Sequence, residues 1–213
     1  MFKNEIKPTK TEVYSILTGM FCASLIISNI LAFKTFSFYG DIVLPCAVII
    51  FPLTYIINDV LAEVYGFSKA KTVILLGFVM NLVAVLCYAI AILLPAPVFF
   101  DGQEAFALVL SNTPRILIAS FIAYLVGSLL NSYSMVKMKE KYEPHLFGRC
   151  ICSTIIGEGV DACLFITIAF FGTMPNTMLL TMIIAQATFK TVYEIIIYPF
   201  TRYVIKKIKK LED

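Results

Sequence analysis

Long apolar runs separated by short polar stretches set the pattern of this chain. Runs of roughly 20 apolar residues, coiled at 1.5 Å per residue, match the hydrocarbon thickness of a bilayer. Six are predicted as spanning helices: 13–33, 42–62, 72–94, 115–133, 151–172 and 177–205. Pro95 and Pro97 stop the third, Pro114 opens the fourth, and Pro199 is expected to bend the long sixth. The pattern therefore predicts an all-α integral membrane protein, with a single transmembrane domain over 1–213 and six transmembrane helices. The acidic third loop carries apolar stretches at 98–100 and 105–110, the mark of a short interfacial helix. The first apolar run is too long for the core of a cleaved signal peptide, so it is expected to remain as a spanning anchor.

Charge gives these segments a direction. Lys3, Lys7 and Lys10 precede the first segment, and Lys69 and Lys71 follow the second. Lys137, Lys139, Lys141 and Arg149 lie between the fourth and fifth. Arg202, Lys206, Lys207, Lys209 and Lys210 close the chain, while only Lys34 and Arg115 fall at the opposite ends. Basic residues gather on the cytoplasmic side of membrane proteins, so both termini are expected there. The basic tail reads as an orientation signal and a contact for lipid headgroups, with no nucleic acid implied.

Composition agrees with a membrane class. The chain is 60% hydrophobic and 15% charged, against about 25% charged in soluble domains. Six cysteines lie scattered with no CxxC pair, and the lone histidine, His145, sits in a charged loop. That pattern argues against a zinc or redox centre, and neither a metal nor a cofactor is expected. No phosphate-binding loop, HExxH helix or nucleophile elbow occurs, so the chain does not read as an enzyme.

The chemistry lies in polar residues set inside apolar segments. Glu158 and Asp161 interrupt the fifth segment at a spacing that puts both on one helical face. One ionised carboxylate at the bilayer centre costs roughly 2.5–3.5 kcal/mol, so such a face points into a protein-lined pathway. Gln186, Lys190 and Glu194 form a stripe on the sixth segment. A lone buried lysine tends to lose its proton, so Lys190 is expected to pair with Asp161 or Glu158 at similar depth. Asp59 lies deep in the second segment, and Glu63 near its end, where it can reach water. Asn29 and Asn131 are candidates for substrate contact or for bonds between helices, and Arg115 for an anchor at the outer end. The aromatics Phe51, Tyr55, Phe165, Phe189 and Tyr193 lie close in sequence to these positions and suit the stacking of a flat ring. A site between the second, fifth and sixth segments is expected. An ion pair that only pins helices together remains a rival reading for Lys190 and Asp161.

A weak repeat appears at an offset of 100 residues. Ile16, Leu17, Phe21 and Ser28 match Ile116, Leu117, Phe121 and Ser128, and Thr54, Ile56 and Val60 match Thr154, Ile156 and Val160. Helices one and four would run in opposite directions, as in the 3+3 inverted repeats of transporters.

Several stretches resemble the bacterial queuosine precursor transporter family, also called the vitamin uptake transporter family. They are Ser28-Asn29, FPLTYIINDVLAEVYGFSKA from Phe51 to Ala70, and RILIASFIAYLVGSLLN from Arg115 to Asn131. CSTIIGEGVDACLFITIAFFG from Cys152 to Gly172 and the Lys190 helix complete the match. The resemblance implies uptake across the bacterial cytoplasmic membrane of 7-deazaguanine bases destined for tRNA modification. Such bases include 7-cyano-7-deazaguanine, 7-aminomethyl-7-deazaguanine and queuine. Protonation of one acid would make the transport a symport. Alternatives are a substrate-binding subunit of an ATPase-energised vitamin importer and a membrane scaffold without transport. Small residues on helix faces permit a homodimer.

Overall fold

The computed structural model describes residues 8–32, 34–39, 42–111, 114–172 and 175–211; the side chains of 35, 37–39, 42–45 and 114–117 lie outside the description. Helix α1 spans Lys10–Leu31 and starts earlier than its apolar run. The reason is a capping box: Glu12 N–H donates to Thr9 Oγ1 at 3.2 Å, and Thr9 N–H donates to Glu12 Oε2 at 2.8 Å.

The second apolar run is not helical from its start. Residues 42–45 form a strand, β2 (Ile42–Pro45), antiparallel to β1 (Thr35–Tyr39). A 3-10 turn over Cys46–Ile49 follows, and α2 begins only at Phe51. A short apolar run with β-branched Ile42 and Val43 serves a strand as well as a helix, and run length alone does not separate the two. Pro52 then sits in the first helical turn, where a missing N–H costs nothing.

Helix α2 (Phe51–Leu93) is 43 residues long and is broken at Gly66, at φ 82° and ψ 169°, a conformation open to glycine. The contacts show that the chain reverses there. In the first arm, Tyr55, Asp59 and Glu63 meet Gly127, Asn131 and Lys139 of α4 (Pro114–Tyr142) in parallel order. In the second arm, Phe67, Ile74 and Phe78 meet Tyr133, Tyr124 and Phe121 in antiparallel order. The short helix α3 (Gln103–Leu110) lies in the acidic loop.

Helices α4 and α5 (Leu146–Phe170) form the most extensive pair. Gly127 and Gly157 let the backbones touch: a Cβ on Gly157 would lie 2.8 Å from Gly127 O and 2.7 Å from Asn131 Cβ. Helix α6 (Asn176–Ile208) is more lightly held, against α5 and the first arm of α2, and carries Pro199 inside. α1, α2, α4 from Ile118, α5 and α6 are each long and apolar enough to cross a membrane. Their outward faces carry exposed Leu86, Ile90, Ile122 and Ile196, as a lipid-facing surface requires.

The core concentrates toward the end of the bundle that holds Lys10 and Lys209, around Phe21, Leu61, Ile74, Met135 and Ile205. At that end Tyr65 Oη donates to Lys10 O at 2.9 Å and Tyr14 Oη donates to Lys69 O at 3.2 Å. Two expectations need correction here. Glu63 does not reach water; it is 3% exposed. Arg149 is not a loop residue but lies buried in the first turn of α5, donating from Nη1 to Glu63 Oε2 at 2.5 Å. Lys139 approaches Glu63 at 3.4 Å, and Lys209 also pairs with it. A buried carboxylate this far along a helix is stable because three cations surround it.

Candidate substrate site

The first arm of α2 begins below the far end of the bundle, level with the middle of α5 and α6. Phe51 and Tyr55 therefore face Lys190, whose Nζ lies 4.3 Å from the Phe51 ring centre and 5.6 Å from that of Tyr55. On its other side Lys190 pairs with two carboxylates of α5. It donates to Asp161 Oδ2 at 2.9 Å and forms an ion pair with Glu158. All three charged side chains are nine-tenths buried or more. Tyr55 Oη is buried with no hydrogen-bond partner among the described residues. An ammonium between two carboxylates and two aromatic faces is a site that can exchange partners. A flat ligand with donors on one edge competes for the acids, and an acceptor competes for the ammonium.

One turn farther along α6, Glu194 lies beside Asp59 of α2 and Cys150 of α5. The nearest ligand atoms of these three residues lie within 4.8 Å of one another. Asn131 Nδ2 donates to Asp59 Oδ1 at 2.8 Å. Asn58 holds the same level by donating to Ser128 O at 3.1 Å and accepting from Ser132 Oγ at 2.7 Å.

The predicted site residues thus divide into groups. Glu158, Asp161 and Lys190 come together as expected. Asp59, Asn131 and Glu194 form a second, adjacent cluster. Asn29 is apart from both: its Nδ2 donates to Asn81 Oδ1 at 3.3 Å, joining α1 to the second arm of α2. Gln186 is half-buried one turn before Lys190. The side chain of Arg115 lies outside the described residues. Sequence reasoning missed Thr154, Cys150 and Asn81. Thr154 was within reach, since it precedes Glu158 by one helical turn on the same face. Cys150 has no partner in its own stretch of sequence, and only the fold brings it to Asp59.

A multi-pass helical membrane protein with surplus acid in its interior and a lysine held between helices is the architecture of a transporter core. The comparisons narrow this class. The family described as "Putative vitamin uptake transporter" matches residues 45–204, and the chain belongs to that family. It is 25% identical over 183 residues to a Bacillus subtilis (strain 168) protein described as "Probable queuosine precursor transporter". The match covers 84% of this chain and 79% of that protein. No solved structure matches.

Proposed function

We propose that the chain imports 7-deazaguanine bases, the precursors of queuosine, across the cytoplasmic membrane by secondary or facilitated transport. The reading is supported by the name of the Bacillus relative. The observation that carries it is Lys190 held between Asp161 and Glu158 beside the Phe51 and Tyr55 rings. A deazaguanine offers ring N–H and amino donors to the two acids and a carbonyl to Lys190 or Gln186. Its flat face stacks on an aromatic ring, worth about 1–3 kcal/mol per base in comparable sites. Glu158 beside Asp161 favours a base with an added positive charge, such as the aminomethyl form. Because Lys190 is 2% exposed, entry of the base requires α6, the most lightly packed of these helices, to part from α5 and α2. In this reading the six helical rods alternate in direction across the membrane, and the basic end with Lys139, Arg149 and Lys209 faces the cytoplasm.

The test is uptake of labelled 7-deazaguanine bases by liposomes containing the purified chain alone. Saturable uptake is expected, with at least a tenfold loss in Asp161→Asn while thermal unfolding shows a folded protein. Normal transport by folded Asp161→Asn would place the site elsewhere. Uptake only after addition of partner ATPases would instead make the chain a binding subunit of a larger importer. Wild-type uptake that survives collapse of the proton gradient would identify a mechanism without proton symport.

A further inference from the structure

The cluster one turn from Lys190 has a charge problem that the base-binding reading leaves unsolved. Asp59 is 1% exposed and Glu194 5%, and their carboxylates face each other across less than 4.8 Å. Among the described residues neither makes an ion pair. Lys190 is taken by Glu158 and Asp161, while Arg149, Lys139 and Lys209 are taken by Glu63. Around the two acids lie oxygens with no hydrogen-bond partner among the described residues. They are Asp59 Oδ2, both Glu194 oxygens, Asn131 Oδ1 and Thr154 Oγ1. Thr154 is 1% exposed and faces Glu194, and Asn131 is fully buried against Asp59.

A proton shared by the two acids, with the Thr154 hydroxyl donating to Glu194, would still leave the Asn131 amide oxygen without a donor. Carboxylate, amide and hydroxyl oxygens that outnumber the donors around them are the ligand types of a hard cation. The Asp59 and Glu194 carboxylates, within 4.8 Å of each other, are near enough for one ion of calcium or sodium radius to bridge them. Two opposed bonds of about 2.3–2.6 Å span about 4.6–5.2 Å. The four side chains are 5% exposed or less, so an ion held among them must shed its water. That cost grows with the square of the charge in a Born description, which favours a monovalent ion, and charge balances when one of the two acids keeps its proton while the other is ionised. We propose that Asp59, Glu194, Asn131 and Thr154 form a sodium-ion site, with Cys150 closing one wall. Because Glu194 and Lys190 lie one turn apart on α6, a sodium ion here would draw α6 toward α2 and α5 and favour the closed arrangement around Lys190.

The inference concerns ion binding and does not depend on which base is carried, so it is tested with no base present. Equilibrium binding of radiolabelled sodium to purified full-length protein should be saturable and weakly competed by potassium. The thermal midpoint should rise in sodium chloride relative to potassium or choline chloride at equal ionic strength. Glu194→Gln and Thr154→Val should weaken sodium binding at least tenfold, and Lys209→Ala should leave it unchanged. Absence of saturable sodium binding by folded wild-type protein would overturn the proposal, whatever the variants do. So would equal stabilisation by all three salts, or stabilisation by acid alone, which would assign the cluster to a shared proton.

Discussion

Glu63 and Asp161 are both buried carboxylates in one bundle, and both are ion-paired, yet their surroundings are opposite in sign. Glu63 faces three cations, Arg149, Lys139 and Lys209, two of them partly exposed and able to adjust. Asp161 shares a single buried lysine with Glu158, and two further acids lie within a turn. Surplus base around a buried acid makes a lock, because losing one partner leaves others. Surplus acid around one base makes a site, because the acids can be satisfied only in part from within the protein. The first arrangement ties the end of the first arm of α2 to α4, α5 and α6; the second leaves the middle of the same helices with more acid than base, as the proposed site requires.

This contrast is sharpest at its two central residues. Lys190→Met would leave Glu158 and Asp161 facing each other without a cation. It should cost about 3–5 kcal/mol, the usual penalty for stranding buried charge, and abolish uptake. Adding Glu158→Gln and Asp161→Asn should restore the thermal midpoint without restoring uptake. Glu63→Gln strands the buried guanidinium of Arg149 and should cost about 3 kcal/mol, with uptake per folded molecule unchanged. If Glu63→Gln silenced transport in folded protein, the division between lock and site would fail. The smallest effect is expected from Lys209→Ala. Its side chain is 43% exposed, and removing one partly exposed partner of an ion-pair network changes stability by about 1 kcal/mol or less. Thermal unfolding in detergent, read beside liposome uptake, separates the three.

Much of this was legible in the chain because membrane physics is severe. Apolar length marked the long helices, five of which are apolar enough to cross a membrane, and an interior lysine demanded an acid at its own depth, which Asp161 and Glu158 provided. The sequence does not carry the partner of Glu63, since Arg149 stands in a run of charge that reads locally as a loop and its pairing is purely tertiary. The strand pair of β1 and β2 was hidden because apolar residues serve a strand and a helix alike. The separation of Asp59, Asn131 and Glu194 from Lys190 was hidden because one turn of difference in height depends on how α2 is set against α6. That setting depends on Gly127 and Gly157, whose missing side chains draw α4 and α5 together.

Gly66 has a consequence for the parity of the chain. At 1.5 Å per residue the 43 residues of α2 would extend about 64 Å if straight, about twice the hydrocarbon layer. By turning the helix back, this one residue decides on which side every later segment emerges. Glu63 stands three positions before the turn, and the three cations that hold it come 76, 86 and 146 residues after it in the chain. Those cations reach Glu63 only if the segments between have reversed direction the right number of times. The cluster at Glu63 therefore acts as a built-in count of reversals, closing only on a chain threaded with the correct handed alternation.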